Sequence, residues 1–176
     1  MIKTEKDELL IGLIGDTHIP SRGPEIPRNI IDHFKERNID YLFHLGDYTK
    51  YKVYNDLLET FGKDRVIGIR GNMDDYKLIN ILPEKVELNL YGHKIFMTHG
   101  MGGPNIIIKR LNKYFDLSKY DIIIFGHVHH PYNEKWRDGK LYISPGTPTD
   151  KKFTDINSYG FLNISKEKVN FEIIYL

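Results

Sequence analysis

The run Leu9-Leu10-Ile11-Gly12-Leu13-Ile14-Gly15-Asp16-Thr17-His18 decides the reading of this chain. Its first half is almost unbroken apolar sequence, which suits a central strand buried on both faces. It stops at Gly15-Asp16, where glycine permits the tight turn that lets a strand end and present a side chain at its mouth. The arrangement recurs downstream. Tyr41 to Leu45 ends at Gly46-Asp47, Arg65 to Ile69 at Gly71-Asn72, Ile95 to Thr98 at His99-Gly100, and Ile122 to Phe125 at Gly126-His127-Val128-His129.

The intervening segments supply the crossovers. Ile19 to Pro27 holds three prolines and a glycine and reads as a loop. Pro27 can then open a helix to Arg37, with Ile30 and Phe34 on its inner side. Val53, Leu57, Leu58 and Phe61 mark a second helix, which Gly62 ends. Strand, helix, strand, helix, strand predicts a parallel βαβαβ unit. From Lys85 the period changes to two: Val86, Leu88 and Leu90 alternate with polar residues, and a turn at Tyr91-Gly92-His93 leads into the next strand. A helix over Asn105 to Phe115 follows Pro104. Glu134 to Trp136 and Leu141 to Ser144 flank Asp138-Gly139, a two-residue hairpin signal. Tyr159 to Ile164 and Val169 to Tyr175 flank another turn. With no repeat, low-complexity tract or dividing linker, the expectation is one domain over residues 1–176. Its class is α/β, a four-layer α/β/β/α sandwich of two facing mixed β-sheets with helices outside.

Composition narrows the function. The 176 residues carry Lys+Arg 25 against Asp+Glu 24, a net charge of +1, and the basic residues are dispersed, so no nucleic-acid footprint is evident. Cysteine is absent, which excludes disulfides, thiolate zinc sites and cysteine nucleophiles. The start, Met1 to Glu8, is charged, and the first apolar run is far shorter than a membrane span. A soluble, cytoplasmic protein with no membrane partner is expected.

The strand-end clusters gather Asp16, His18, Asp47, Asn72, His99, His127 and His129 where open α/β sheets bind ligands, beyond the carboxyl ends of strands. Oxygen and imidazole donors suit divalent Mn, Fe, Ni, Co or Zn, whereas an all-oxygen set would point to Mg or Ca. Two cations about 3.5 to 4 Å apart need a shared anionic ligand, and Asp47 is assigned that place. A hydroxide bridging such cations is the expected nucleophile. Singly, each cluster is weak, since Gly-Asp is usually a turn and Gly-Asn says almost nothing. Their order, each after a strand pattern, carries the reading. Of the other polar residues, His44 reads as structural and His33 and His93 as surface residues, while His130, within reach of the pocket rim, is not assigned to the site. Arg22 and Arg70 lie near ligand loops where either could clamp a phosphate, although a solvated surface place is expected for Arg22.

The ordered set Asp16-x-His18, Gly46-Asp47, Gly71-Asn72, His99-Gly100, Gly126-His127-x-His129 resembles the calcineurin-like metallophosphoesterase superfamily. Asp16-Thr17-His18-Ile19-Pro20, Gly71-Asn72-Met73-Asp74 and Ser144-Pro145-Gly146-Thr147-Pro148-Thr149 are similar to its small prokaryotic phosphodiesterase branch. The resemblance implies that Asp16, His18, Asp47 and His129 hold one metal and that Asp47, Asn72, His99 and His127 hold the other. Asn72 would bind through its amide oxygen and also orient substrate. The implied activity is a metal-dependent phosphodiesterase acting on a small phosphoester with two divalent transition-metal ions, manganese first, then nickel, iron, cobalt or zinc. No catalytic residue beyond the ligands is assigned. The alternatives are a phosphomonoesterase on the same site and a non-catalytic scaffold or binding protein with this fold, whose mark would be lost ligands. A homo-oligomer is left open. One departure matters: many members follow the Gly-Asn with a histidine that protonates the leaving group, and here that place is Met73. A thioether cannot donate a proton, so help of about 10² to 10⁴-fold is absent from that position.

Overall fold

The computed structural model describes residue 2 and residues 5–176, so the charged start at Met1 to Glu8 lies partly outside the described residues. In chain order the elements are β1 (Glu8–Ile14), α1 (Arg28–Glu36), β2 (Tyr41–His44), α2 (Tyr51–Phe61), β3 (Val66–Gly68), α3 (Tyr76–Ile81), β4 (Lys85–Leu90), β5 (His93–Thr98), α4 (Ile107–Tyr114), β6 (Ile122–Phe125), β7 (Pro131–Lys135), β8 (Leu141–Pro145), β9 (Ser158–Ser165) and β10 (Val169–Tyr175). They form two five-stranded sheets, ordered β10-β9-β1-β2-β3 and β4-β5-β6-β8-β7. In the first sheet β1, β2 and β3 run parallel, and β9 pairs antiparallel with β1. In the second, β5, β6 and β8 run parallel, while β4 and β7 pair antiparallel at the two edges.

The expected four layers follow from where the apolar side chains point. Leu9, Ile11 and Leu13 project from β1 into the space between the sheets, meeting Ile95, Met97, Ile122 and Ile124. Ile14 belongs to the opposite face, packed with Ile30 and Phe34 of α1 and Leu57 of α2. Beyond the second sheet, Ile123 and Phe125 pack against Ile107 and Leu111 of α4. Fully burying each such side chain stabilises the fold by about 1.5–3 kcal/mol. Among the described residues no helix is long and apolar enough to cross a membrane.

Local signals set the boundaries. Pro27 stands just before the first helical residue of α1, and α2 ends on Gly62 at φ 95. The β4–β5 turn places Tyr91 at φ 55 and Gly92 at φ 94, both positive as a tight two-residue hairpin turn demands. The helix expected over Asn105 to Phe115 is shorter, because Asn105 and Ile106 lie in a turn before Ile107. The sequence reading missed α3. Its start is capped by Asp75, whose carboxylate accepts from the Leu78 backbone N–H at 3.1 Å.

The carboxyl ends of the parallel strands converge, and the turns after β2 and β3 touch. A Cβ on Gly46 would lie 2.7 Å from the Gly71 nitrogen, and one on Gly71 would lie 2.1 Å from Asp47 Oδ1. Gly71→Ala must therefore displace Asp47 or separate the turns. It is expected to cost about 1–3 kcal/mol through overpacking and to impair uptake of metal. Gly103→Ala, with nothing within 4 Å, is the control and is expected to be near neutral. Thermal melts and metal titration of both variants check this.

Candidate metal centre

Each donor stands in the first turn after a parallel strand: Asp16 and His18 after β1, Asp47 after β2, Asn72 after β3, His99 after β5, His127 and His129 after β6. The structure brings them together in two groups. In one, His18 Nε2 lies 3.2 Å from His129 Nε2, and His129 Nε2 lies 3.5 Å from Asp16 Oδ1. In the other, Asn72 Oδ1 lies 3.1 Å from His99 Nε2 and 3.0 Å from His127 Nδ1. Asp47 Oδ2 stands between them, 3.5 Å from His18 Nε2 and 3.4 Å from His99 Nε2. The ligand atoms of Asp16, His18 and His129 lie within 4.8 Å of one another, as do those of Asp16, Asp47 and His99, so either triad could hold a cation. Oxygen and imidazole donors in this mixture fit a borderline divalent metal.

Backbone and side-chain bonds hold the donors in place. The His127 N–H donates to Asp16 Oδ2 at 2.9 Å, and the Met73 N–H donates to Asp47 Oδ1 at 2.7 Å. His99 Nδ1–H donates to the Leu45 carbonyl at 2.7 Å, which leaves Nε2 facing the other donors. Asp74 clamps the two touching turns, accepting from Gly71 N at 2.7 Å, Asp47 N at 3.2 Å and Thr49 N at 2.8 Å. His44 is fully buried, accepts from Gly46 N at 3.2 Å and lies 3.2 Å from Thr17 Oγ1. It thus ties the Asp16 turn to the Asp47 turn, a structural duty that nonetheless orients ligands.

Five of these donors carry an unusual backbone. Asp16, His18, Asp47, His127 and His129 have φ between 46 and 70, the left-handed region that side chains disfavour. Each costs about 1–3 kcal/mol, and such residues gather where function over-determines the chain.

Burial and mutual charge shift the donors in opposite directions. Burial raises Asp16 to about 6, against the lowering effects of His99 and His129. Burial also pushes Asp47 up, but its hydrogen bond and charge interaction with His99 prevail and hold it near 2. Burial pushes His99 down, yet Asp47 and Asp16 overcome this and raise it to about 9. His127, pushed down by burial and by the charge on His99, falls to about 4.

The places expected for Arg22, His33 and His93 need correction. Arg22 is not a solvated surface residue: its side chain is three-quarters buried, with Nε 3.2 Å from Asp150 Oδ1 and its guanidinium over the Phe153 ring. His33 and His93 are half-buried rather than on the surface, His33 Nδ1 lying 2.6 Å from the Tyr159 hydroxyl and His93 Nε2 3.0 Å from the Ser165 carbonyl. Arg70 spends its side chain elsewhere, donating to the Ile79 carbonyl at 3.1 Å and pairing with Glu84. His130 stays half-buried with Thr154 Oγ1 3.4 Å away. The sequence reading also missed Asp150, wholly buried and bonded through Oδ2 to His129 Nδ1. No local signal marks it, because the turn after β8 opens on the same crevice only through the parallel pairing of β8 with β6.

A cluster of carboxylates, an amide and imidazoles at the carboxyl ends of a four-layer sandwich defines a candidate metallohydrolase site. The model of the calcineurin-like phosphoesterase superfamily domain matches residues 9–167, and the chain belongs to that superfamily. It is 35% identical over 167 residues to a probable metallophosphoesterase of Methanothermobacter thermautotrophicus, covering 94% of this chain and 92% of the relative. A phosphodiesterase of Methanocaldococcus jannaschii is 26% identical, with 90% of this chain and 95% of the relative covered. The crystal structure of Vps29 from Entamoeba histolytica complexed with zinc superposes with a TM-score of 0.75 at 24% identity, over 95% of this chain and 99% of that one, a likeness of fold.

The raised His99 gives the metal-free protein a pH dependence whose sign is fixed. Its folded value, about 9, lies above the usual 6.5, so its contribution is fully present below 6.5 and is lost as pH rises through 9. Asp16, Asp47 and His127, near 6, 2 and 4, complete their shifts below that window. The melting temperature of chelator-treated protein is expected to fall between pH 6.5 and 9, and His99→Gln to flatten that fall. Thermal scans across the window check it.

Proposed function

We propose that this chain is a phosphodiesterase that works with two divalent transition-metal ions. The single observation that carries the reading is the position of Asp47 Oδ2, 3.5 Å from His18 Nε2 and 3.4 Å from His99 Nε2, where one carboxylate serves both groups of donors. Asp16 Oδ1 is less evenly placed, 3.5 Å from His129 Nε2 and 4.0 Å from His99 Nε2, so Asp47 is the better bridge. Asp16, His18, Asp47 and His129 would hold one cation, and Asp47, Asn72, His99 and His127 the other. Such a pair would supply Lewis acidity toward phosphoryl oxygens and lower the pKa of a bound water toward neutrality. The choice of diester over monoester draws on the relative named a phosphodiesterase. Manganese is the metal we favour, for the mixed oxygen and imidazole donor set.

The residues of this chain divide the remaining work. The Met73 N–H fixes one oxygen of Asp47 and leaves the other between the donor groups. Asn72 presents its amide oxygen to His99 and His127, and its amide N–H groups are assigned to a phosphoryl oxygen of the substrate. The Met73 side chain is exposed beside the centre and offers no proton to a leaving group. Esters with good leaving groups are therefore the expected substrates.

Metal-stripped protein reconstituted with individual metals and offered mono- and diesters and cyclic nucleotides tests the activity. Diester hydrolysis that appears with manganese is expected, and its absence with every metal sinks the proposal. Asp47→Asn is expected to lose both metal equivalents and His18→Ala mainly one, counted by elemental analysis. Two equivalents retained by Asp47→Asn at wild-type affinity contradict the bridge. Met73→His, if folded and fully loaded, is expected to raise turnover of alkyl esters more than of an activated aryl ester, up to about 10²-fold.

A further inference from the structure

We propose that Asp150 is the positioning residue that fixes the His129 imidazole with its proton on Nδ1 and Nε2 turned to the cation. This rests on the metal-centre reading given above. The Asp150 side chain is wholly buried, and its two oxygens have separate partners. Oδ2 accepts from His129 Nδ1–H, while Oδ1 accepts from the Lys152 N–H at 2.8 Å and pairs with Arg22 Nε at 3.2 Å. A buried carboxylate is tolerated only when paired and hydrogen-bonded, and here the imidazole, an amide and a guanidinium share that duty.

The arrangement points to orientation rather than to loop folding alone. His129 Nε2 lies 3.2 Å from His18 Nε2 and 3.5 Å from Asp16 Oδ1, so the ring already aims one nitrogen at the candidate cation position. A histidine that ligates through one nitrogen needs its other nitrogen protonated and held, and a carboxylate there both sets the tautomer and makes the ligand more basic. His99 meets the same need with the Leu45 carbonyl, a neutral acceptor. Only the His129 side of the centre receives a charged one among these two ligands. The backbone holds Asp150 independently of its carboxylate: Asn157 Nδ2 donates to the Asp150 carbonyl at 2.8 Å, and the Asp150 N–H lies 3.3 Å from Thr147 Oγ1. Thr147 Oγ1 in turn donates to the Asp16 carbonyl at 2.6 Å, so the turn after β8 is registered against the turn after β1.

The test is titration of manganese into the metal-free protein, read by calorimetry, with imidazole ¹⁵N spectra of the metal-free protein as a second readout. Asp150→Ala is expected to weaken one manganese equivalent by about 10–100-fold and leave the other unchanged. Asp150→Asn, which keeps an acceptor oxygen but not the charge, is expected to lie between. The spectra are expected to show His129 protonated at Nδ1 in wild type and a mixture of tautomers in Asp150→Ala. Asn157→Ala removes bonds to this turn without touching the carboxylate, and is expected to keep both manganese affinities. Unchanged affinity in Asp150→Ala and Asp150→Asn, with wild type taking up two equivalents, overturns this role alone. An equal loss in Asn157→Ala also overturns it, because the turn and not the carboxylate would then be responsible. Wild type that takes up no manganese, or any other divalent transition metal, overturns the metal centre itself.

Discussion

The contact between Asp47 and His99 is the constraint on which the arrangement depends. Asp47 leaves the first sheet and His99 the second, and their side chains meet, with 3.4 Å between Oδ2 and Nε2, at the open end of the sandwich. The apolar core between the sheets fixes their distance but not their relative register at that end, because hydrophobic packing is non-directional. Directional contacts across the seam provide the register: His99 to the Leu45 carbonyl, the His127 N–H to Asp16, and Thr147 to the Asp16 carbonyl. The same polar groups that would receive a cation therefore also align the two halves of the fold.

That double duty explains the backbone. A strand that runs straight into its turn carries its side chain past the crevice, whereas a left-handed residue in the turn after the strand turns the donor back across it. Five donors adopt this conformation without being glycine. The strain is tolerated because neighbours over-determine it, with His44 bonded to two of the turns concerned and Asp74 tying the Asp47 turn to the Asn72 turn. A protein selected for stability alone would place asparagine or glycine there.

Much of this was legible in the sequence. Leu9 to Ile14 and Ile122 to Phe125 announce buried strands by apolar continuity, and the glycines and polar residues after them announce the crevice. The seven donors named from the sequence all fall within it. The less legible features share a physical cause, since each depends on a neighbour distant in the chain. Leu141 to Ser144 reads as half of a hairpin around Asp138-Gly139, and that hairpin exists, but the parallel pairing of β8 with β6 that brings Asp150 inward has no local pattern. Arg22 looks like a loop cation until Asp150 and Phe153 are set beside it. The short helix α3 spans too few residues for periodicity to stand out, and only its Asp75 cap marks it.

The donors come from turns spread along most of the chain, and their mutual contacts are correspondingly remote: His18 meets His129 across 111 positions, and Thr149 reaches the Thr17 carbonyl across 132. Closing loops of that length costs entropy before any contact repays it, so such contacts form late in folding. A partly synthesised chain that has made β1, β2 and β3 owns Asp16, His18, Asp47 and Asn72 but none of the imidazoles from the second sheet. It holds too few donors, too loosely placed, to make up the candidate site of the finished protein. A cation held there would thus act as a checkpoint on topology, favouring chains in which both sheets have docked and the turn after β8 has arrived.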